Sequence, residues 1–185
     1  MEQRMKPRIT AFDIETTNLR ANFGRIIAAC TVDIDEEEVK VFRGDDKAYR
    51  GKSPADDSKL VAAIKEELED AWMWVGYNSK MFDIPFLNTR LNLTGQDAVD
   101  RRMHVDLLYF ARRPNLCLNN ARLDTVAKTF RLEEQKTQLN PEIWINAMLL
   151  SKDALDYVCE HCIQDVLVLK EVFPLLCKYI RTIHY

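Results

Sequence analysis

Asp13 and Glu15 sit one residue apart inside an apolar run formed by Ile9, Ala11, Phe12 and Ile14, and they are the first side chains in the sequence whose type and spacing could do chemistry. Side chains alternate along a strand, so residues two apart share a face and the two carboxylates project together. Burying unpaired charge is expensive, so something positive must meet them, or water must reach them. In isolation the pair reads as the end of a strand, salt-bridged to an Arg or Lys or open to solvent.

Two other segments carry acids in comparable settings. Near the C-terminus, Ala154, Val158, His161, Asp165, Val168 and Val172 step alternately by four and three, which is one face of a helix. His161 and Asp165 interrupt that otherwise apolar line, and taken alone they read as an internal hydrogen-bonded pair. Glu160, Gln164 and Glu171 fall nearer the opposite, solvent side. In the middle of the chain, GYNSKMFDIPFL (Gly76 to Leu87) places Asp83 just after a strand and at the start of a helix whose early Pro85 is tolerated there. Helix N-termini favour negative charge, so Asp83 is expected to stay ionised; by itself it reads as a cap.

These acids need elements to position them. FDIETT (Phe12 to Thr17) reads as a buried central strand. Arg25 to Ile34 and Val39 to Phe42 follow as two further strands, antiparallel to it because the connections are too short for a crossover. Residues 43 to 57, with two Asp-Asp pairs and Gly44, Gly51 and Pro54, read as a loop, and Glu36 to Glu38 as an exposed turn. Ser58 is expected to cap a helix running to about Ala71, with Leu60, Ile64, Leu68 and Ala71 on one stripe. Trp74 to Tyr77 and His104 to Leu108 read as a fourth and a fifth strand, separated by the helix that carries Phe86, Leu87 and Leu91. Helices are expected on Leu123, Val126, Ala127 and Phe130, from Pro141 through Met148, and from Ser151 past Leu169 until Pro174 kinks or ends it. Strand and helix alternation of this kind implies α/β layering.

At 185 residues, with 47% hydrophobic and 30% charged content, the chain has the composition of one soluble globular domain, residues 1 to 185, with a sizeable core. No apolar run approaches a membrane span and the first eight residues are charged, so a cytoplasmic protein without a membrane partner is expected. A net charge of −3 argues against coating long nucleic acid by electrostatics alone, but not against gripping a few nucleotides at an end. Arg101, Arg102, Arg112 and Arg113 form small basic clusters that read as solvated faces, with phosphate contact as the other reading. The five cysteines form no even framework and read as reduced core thiols; Cys159 and Cys162 lie mid-helix, where a redox pair would gain no low pKa. Trp72, Trp74 and Trp144 are assigned to the core by default.

FDIETT, GYNSKMFDIPFL and YVCEHCIQD, in that order and with LDTVAKTF between the last two, resemble the DEDD 3′-to-5′ exonucleases of the ribonuclease H-like fold. The closest similarity is to the proofreading domains of family B DNA polymerases. That resemblance implies a mixed five-stranded sheet, its first three strands antiparallel, flanked by helices. It implies two divalent ions, Mg²⁺ or Mn²⁺, held by Asp13, Glu15, Asp83 and Asp165. It also implies that Asn78, Phe82 and the turn Thr16, Thr17, Asn18, Leu19 lie close to the terminal nucleotide. The implied partner is the 3′ end of a single strand, DNA favoured and RNA open, with release of nucleoside 5′-monophosphates. Protein partners are not specified by it.

One departure concerns the residue that faces the attacking water. The family has Tyr four residues, or His five residues, before the last Asp; this chain has His161 four before, Glu160 five before and Tyr157 eight before. Four helical residues separate two side chains by about 40° and about 6 Å along the axis, whereas Tyr157 stands about 12 Å from Asp165. His161 therefore takes the place of the tyrosine, as general base or water-orienting residue. The other class of function weighed is a ribonuclease H-like binding or scaffolding module without turnover. The full set of four acids argues against it, because a module without catalysis has no need to keep them together. No polymerase palm or fingers fits in the remaining length, so a standalone enzyme or a subunit is expected.

Overall fold

A computed structural model describes residues 6–133, 140–181 and 183. Strand β1 (Ile9–Thr16) runs through the middle of a five-stranded sheet with β2 (Ile26–Asp33) and β3 (Val39–Arg43) on one side and β4 (Met73–Gly76) and β5 (Met103–Asp106) on the other. The strand order is β3-β2-β1-β4-β5; β1, β2 and β3 are antiparallel neighbours, while β4 and β5 run parallel to β1. The short links after β1 and β2 permit only antiparallel return, and the crossover that makes β4 parallel is supplied by helix α1 (Ser58–Asp70). This is the mixed, helix-flanked sheet that the sequence implies.

Alternation along β1 divides the molecule into layers. Phe12 and Ile14 point to the side covered by α1 and by α2 (Asp83–Leu93), against Leu60, Ile64, Leu68 and Leu87. Each fully buried leucine of that stripe stabilises the fold by about 1.5–3 kcal/mol relative to leaving it exposed. Ala11, and with it the face that carries Asp13 and Glu15, looks toward the long helix α6 (Lys152–Leu176), where Cys162, Val166, Leu169 and Val172 are buried. Helix α4 (Leu123–Phe130) completes that layer, and α5 (Pro141–Met148) packs Ala147 against Ile27, Ala28 and Leu155.

Several boundaries differ from expectation for identifiable reasons. The fifth strand stops at Asp106, whose side chain accepts from the Leu108 N–H at 3.1 Å and opens the short helix α3 (Leu107–Phe110) in place of a strand through Leu108. Ser58 is the first residue of α1 and not its cap; the preceding Asp57 turns its carboxylate to the Ile26 N–H and to Arg90. Pro174 lies inside α6 without ending it, and the helix runs on to Leu176. Cys30, Cys159 and Cys162 are core thiols as expected, but Cys117 and Cys177 are exposed. Trp74 is buried, Trp72 is half exposed and Trp144 is half-buried at a cavity wall.

Candidate active site

Strand β1 outlasts its parallel neighbour. Pairing with β4 ends at Ala11↔Val75, whereas pairing with β2 continues to Thr16↔Ile26. The β4-facing edge of β1 beyond Ala11 therefore has no strand beside it, and the segment that follows β4 fills the gap. The Ile14 N–H donates to Asp83 Oδ1 at 3.3 Å, which brings the first residue of α2 against the strand between Asp13 and Glu15. The chain crosses at the carboxyl ends of β1, β4 and β5, the usual place for a crevice in an open α/β sheet.

From the opposite layer, α6 brings its interrupted apolar face to the same spot. Cys162 Sγ lies 3.5 Å from the Asp13 main-chain oxygen and 3.8 Å from Asp13 Oδ2, which fixes the helix directly over β1. One residue back, His161 Nε2 stands 3.8 Å from Glu15 Oε1 and 3.9 Å from Asp165 Oδ2. At those distances the imidazole, when protonated, pairs with both carboxylates, between which it sits. His161 and Asp165 are both buried, as their place on the apolar line requires.

Two cavities flank this group. One, of about 650 Å³, is bordered by Asp13, Asp165 and Asn78 together with Tyr77, Arg112 and Arg122. The other, of about 550 Å³, is bordered by Ile14, Glu15, Thr16, Thr17, Asn18, Leu19, Phe82 and Trp144. Asp13 and Glu15, two apart on one strand, thus open to different compartments. The residues expected near a terminal nucleotide fall together in the second cavity, except Asn78, which falls in the first.

The turn that carries Asn78 is built by a residue that sequence reasoning passed over. Asp106 is fully buried and accepts from the main-chain N–H groups of Asn78 at 2.8 Å, Lys80 at 3.1 Å and Leu108 at 3.1 Å. Asn78 itself adopts φ 62°, the left-handed region that Asn enters more readily than most residues. Ser79 fits beneath because Gly76 has no side chain; a Cβ there would lie 2.1 Å from Ser79 Oγ. An Asp at the end of a short strand, before Leu-Leu, carries no sequence signal of this role beyond a helix cap. Trp144, assigned to the core, likewise gave no sign of facing a cavity.

Burial, more than any partner, governs the acidity here. The Asp83 carboxyl is pushed up from its ordinary 3.8 to about 7, first by burial and then by the negative charges of Asp106 and Asp165, against the pull of the Ile14 N–H. The sequence led to an ionised Asp83 at a helix N-terminus; loss of water outweighs the helix dipole. The Cys162 thiol is raised well above its usual value by burial, by its hydrogen bond with Cys30, and by Asp13 and Glu15. Among the described residues, no three His, Cys, Asp or Glu side chains are drawn together tightly enough to enclose an ion as they stand. The donor set nevertheless fits a hard divalent cation: it is all carboxylate, and the negative charges of Asp106 and Asp165, which add to burial in raising the Asp83 pKa, are ones a cation would relieve.

Comparison with known proteins agrees with this architecture. A sequence search of curated proteins gives no significant match. Among solved structures, the family B DNA polymerase from the hyperthermophilic archaeon Pyrobaculum calidifontis superposes with a TM-score of 0.74 at 21% identity, over 94% of this chain and 25% of the polymerase. This chain thus spans a quarter of the length of that enzyme and shares the fold of that part of it. A profile of the RNase_H superfamily matches residues 10–177, nearly the whole length, and the chain therefore belongs to the ribonuclease H superfamily.

Proposed function

We propose that this protein is a metal-dependent 3′-to-5′ exonuclease of the DEDD type, acting on the 3′ end of single-stranded nucleic acid, with DNA as the favoured substrate. The observation that carries the proposal is that acids from three distant segments are drawn toward the same stretch of β1. Asp83 is bonded to the strand between Asp13 and Glu15, and His161 stands within 4 Å of both Glu15 and Asp165.

Asp13, Glu15, Asp83 and Asp165 are the residues that would hold two divalent ions, Mg²⁺ or Mn²⁺. When bound, such ions lower the pKa of an attacking water and stabilise the leaving 3′ oxygen. The chain's own residues supply the rest. His161, an imidazole and so a side chain of the type most often used as a base, takes the water's proton at Nε2 as the new oxygen–phosphorus bond forms. The bond to the 3′ oxygen breaks, that oxygen takes a proton from solvent, and a nucleoside 5′-monophosphate leaves. Thr16 to Leu19 and Phe82 form the walls against which the terminal sugar and base are held, and Asn78 orients the nucleotide from the other cavity. Half-buried Trp144 adds an aromatic surface to the Thr16 to Leu19 compartment, suited to stacking on a base.

The test is incubation of purified protein with end-labelled DNA and RNA oligonucleotides in Mn²⁺ and then in EDTA. Stepwise laddering from the 3′ end that EDTA abolishes, and that Asp13→Asn and Asp165→Asn each nearly abolish, is the expected result. Binding without any laddering would instead identify a ribonuclease H-like module without turnover. Full activity in either Asn variant would overturn the metal-holding assignment.

A further inference from the structure

The cavity on the Asp13 and Asp165 side has a basic wall for which the chemistry above has no use. Arg112, in the segment after α3, and Arg122, the residue before α4, both border it and both are exposed. Most arginines elsewhere are spoken for. Arg8, Arg43 and Arg90 are held by carboxylates, and Arg25 and Arg102 by main-chain carbonyls. Among the described residues, neither Arg112 nor Arg122 has a side-chain hydrogen bond or ion pair. Asp124, the acid on the same wall, is already engaged by Lys128 at 2.9 Å and does not consume their charge.

The wall is also fixed in place. The Tyr77 hydroxyl donates to the Ala121 carbonyl at 2.5 Å, anchoring the residue before Arg122 to the end of β4. Arg112 stands close enough to Tyr77 that its charge opposes the rise which burial forces on that hydroxyl.

A chain of net charge −3 offers a polyanion no general attraction. Two guanidiniums beside the acids, without a side-chain partner among the described residues, supply that attraction locally, each with a planar fork that matches a phosphate. The Glu15-side cavity holds the terminal nucleotide in the reading above, on which the present step rests, so the Asp13-side cavity receives what precedes it. We infer that Arg112 and Arg122 grip backbone phosphates of the strand upstream of the scissile bond, making them positioning residues that select oligomers over single nucleotides.

Fluorescence anisotropy of 5′-labelled oligothymidylate, titrated in Ca²⁺ from about 50 to 400 mM salt, tests the grip without turnover. For the Arg112→Ala/Arg122→Ala double variant the expected result is affinity weaker by about tenfold or more at low salt. The log–log salt slope should shrink by about 0.7 for each phosphate lost, and the double Lys variant should recover most of that slope. An unchanged slope in the Ala variant overturns the proposal. Hydrolysis of the p-nitrophenyl ester of thymidine 5′-monophosphate in Mn²⁺ then tests position, because this substrate has one phosphate and no upstream strand. The double Ala variant should keep the wild-type rate on the ester while losing kcat/KM on the oligonucleotide; equal loss on both would overturn the upstream assignment. Should the wild-type protein hydrolyse neither, the exonuclease reading fails, while the binding slopes still decide what the arginines hold.

Discussion

The main-chain N–H of Ile14 donates to the carboxylate of Asp83 at 3.3 Å, across the one stretch of the central strand that β4 leaves uncovered. This bond ties the strand bearing Asp13 and Glu15 to the start of α2. It also places a buried acid next to others, with its pKa pushed to about 7.

The consequence is a pH dependence of stability with an unusual sign. Between the ordinary value of 3.8 and about 7 the folded protein holds a proton on Asp83 that the unfolded chain has released. Stability of the metal-free protein is therefore expected to fall as pH rises through that window, by at most about 1.4 kcal/mol per pH unit for this one group. Thermal melts in EDTA from pH 4 to pH 8 should show the decline, and Asp83→Asn should flatten it while keeping an acceptor for the Ile14 N–H. A wild-type slope persisting in Asp83→Asn would assign the effect to other groups. Added Mn²⁺ should raise the melting temperature most at the alkaline end, where the carboxylates are ionised.

For the base, the two candidates on α6 part company in the structure. His161 is buried between Glu15 and Asp165, whereas Tyr157 is 38% exposed and one turn further from Asp165. On the proposed role, His161→Ala lowers the hydrolysis rate on the order of 10² to 10⁴-fold, and Tyr157→Phe leaves it within about twofold. Steady-state rates on a single-stranded oligonucleotide decide between them, and a large loss in Tyr157→Phe with none in His161→Ala would reverse the assignment.

What the sequence made legible is what short periods carry. A two-residue repeat put Asp13 and Glu15 on one face of a strand, and steps of three and four put His161 and Asp165 on the buried face of a helix; both hold in the structure. Two properties of the site that escaped depend on tertiary placement. Asp83 looked like an ionised cap because helix polarity is local, while the loss of water that overrides it comes from β1 and α6 closing around it. Asp106 looked like one residue inside a strand from His104 to Leu108, because nothing in its neighbours announces that a turn almost thirty residues earlier will fold onto it.

That turn should be brittle. Asp106→Ala would remove the charged acceptor of the part-buried Asn78 and Lys80 N–H bonds, at about 1.5–3 kcal/mol each. Gly76→Ala would force a methyl into Ser79, whose Oγ lies 2.1 Å and Cβ 2.5 Å from the position of the new carbon. Both variants are expected to lose several kcal/mol in urea denaturation. Asn78→Gly, which relaxes the left-handed backbone at φ 62°, should change stability by less than about 1 kcal/mol and expose any loss of activity as the work of the amide itself. A stable Gly76→Ala protein would mean that the turn can rearrange.

Away from the acids, Arg90 and Asp57 form an ion pair at 2.7 Å whose side chains are only 13% and 2% exposed. Arg90 also reaches the Ala21 carbonyl, and Asp57 accepts from the Ile26 N–H, so the pair clamps both the loop after β1 and the first residue of β2 to α2. Removing the cation alone leaves a buried carboxylate uncompensated, and Arg90→Ala is expected to cost about 3–5 kcal/mol. Arg90→Lys should recover little, because a single ammonium cannot reproduce a fork that meets both Asp57 oxygens. Asp57→Asn combined with Arg90→Leu should be milder than Arg90→Ala, since no charge is left buried. Equal losses in the two would show that the Arg90 bond to Ala21, which both variants lose, and not the charge balance, holds this corner together.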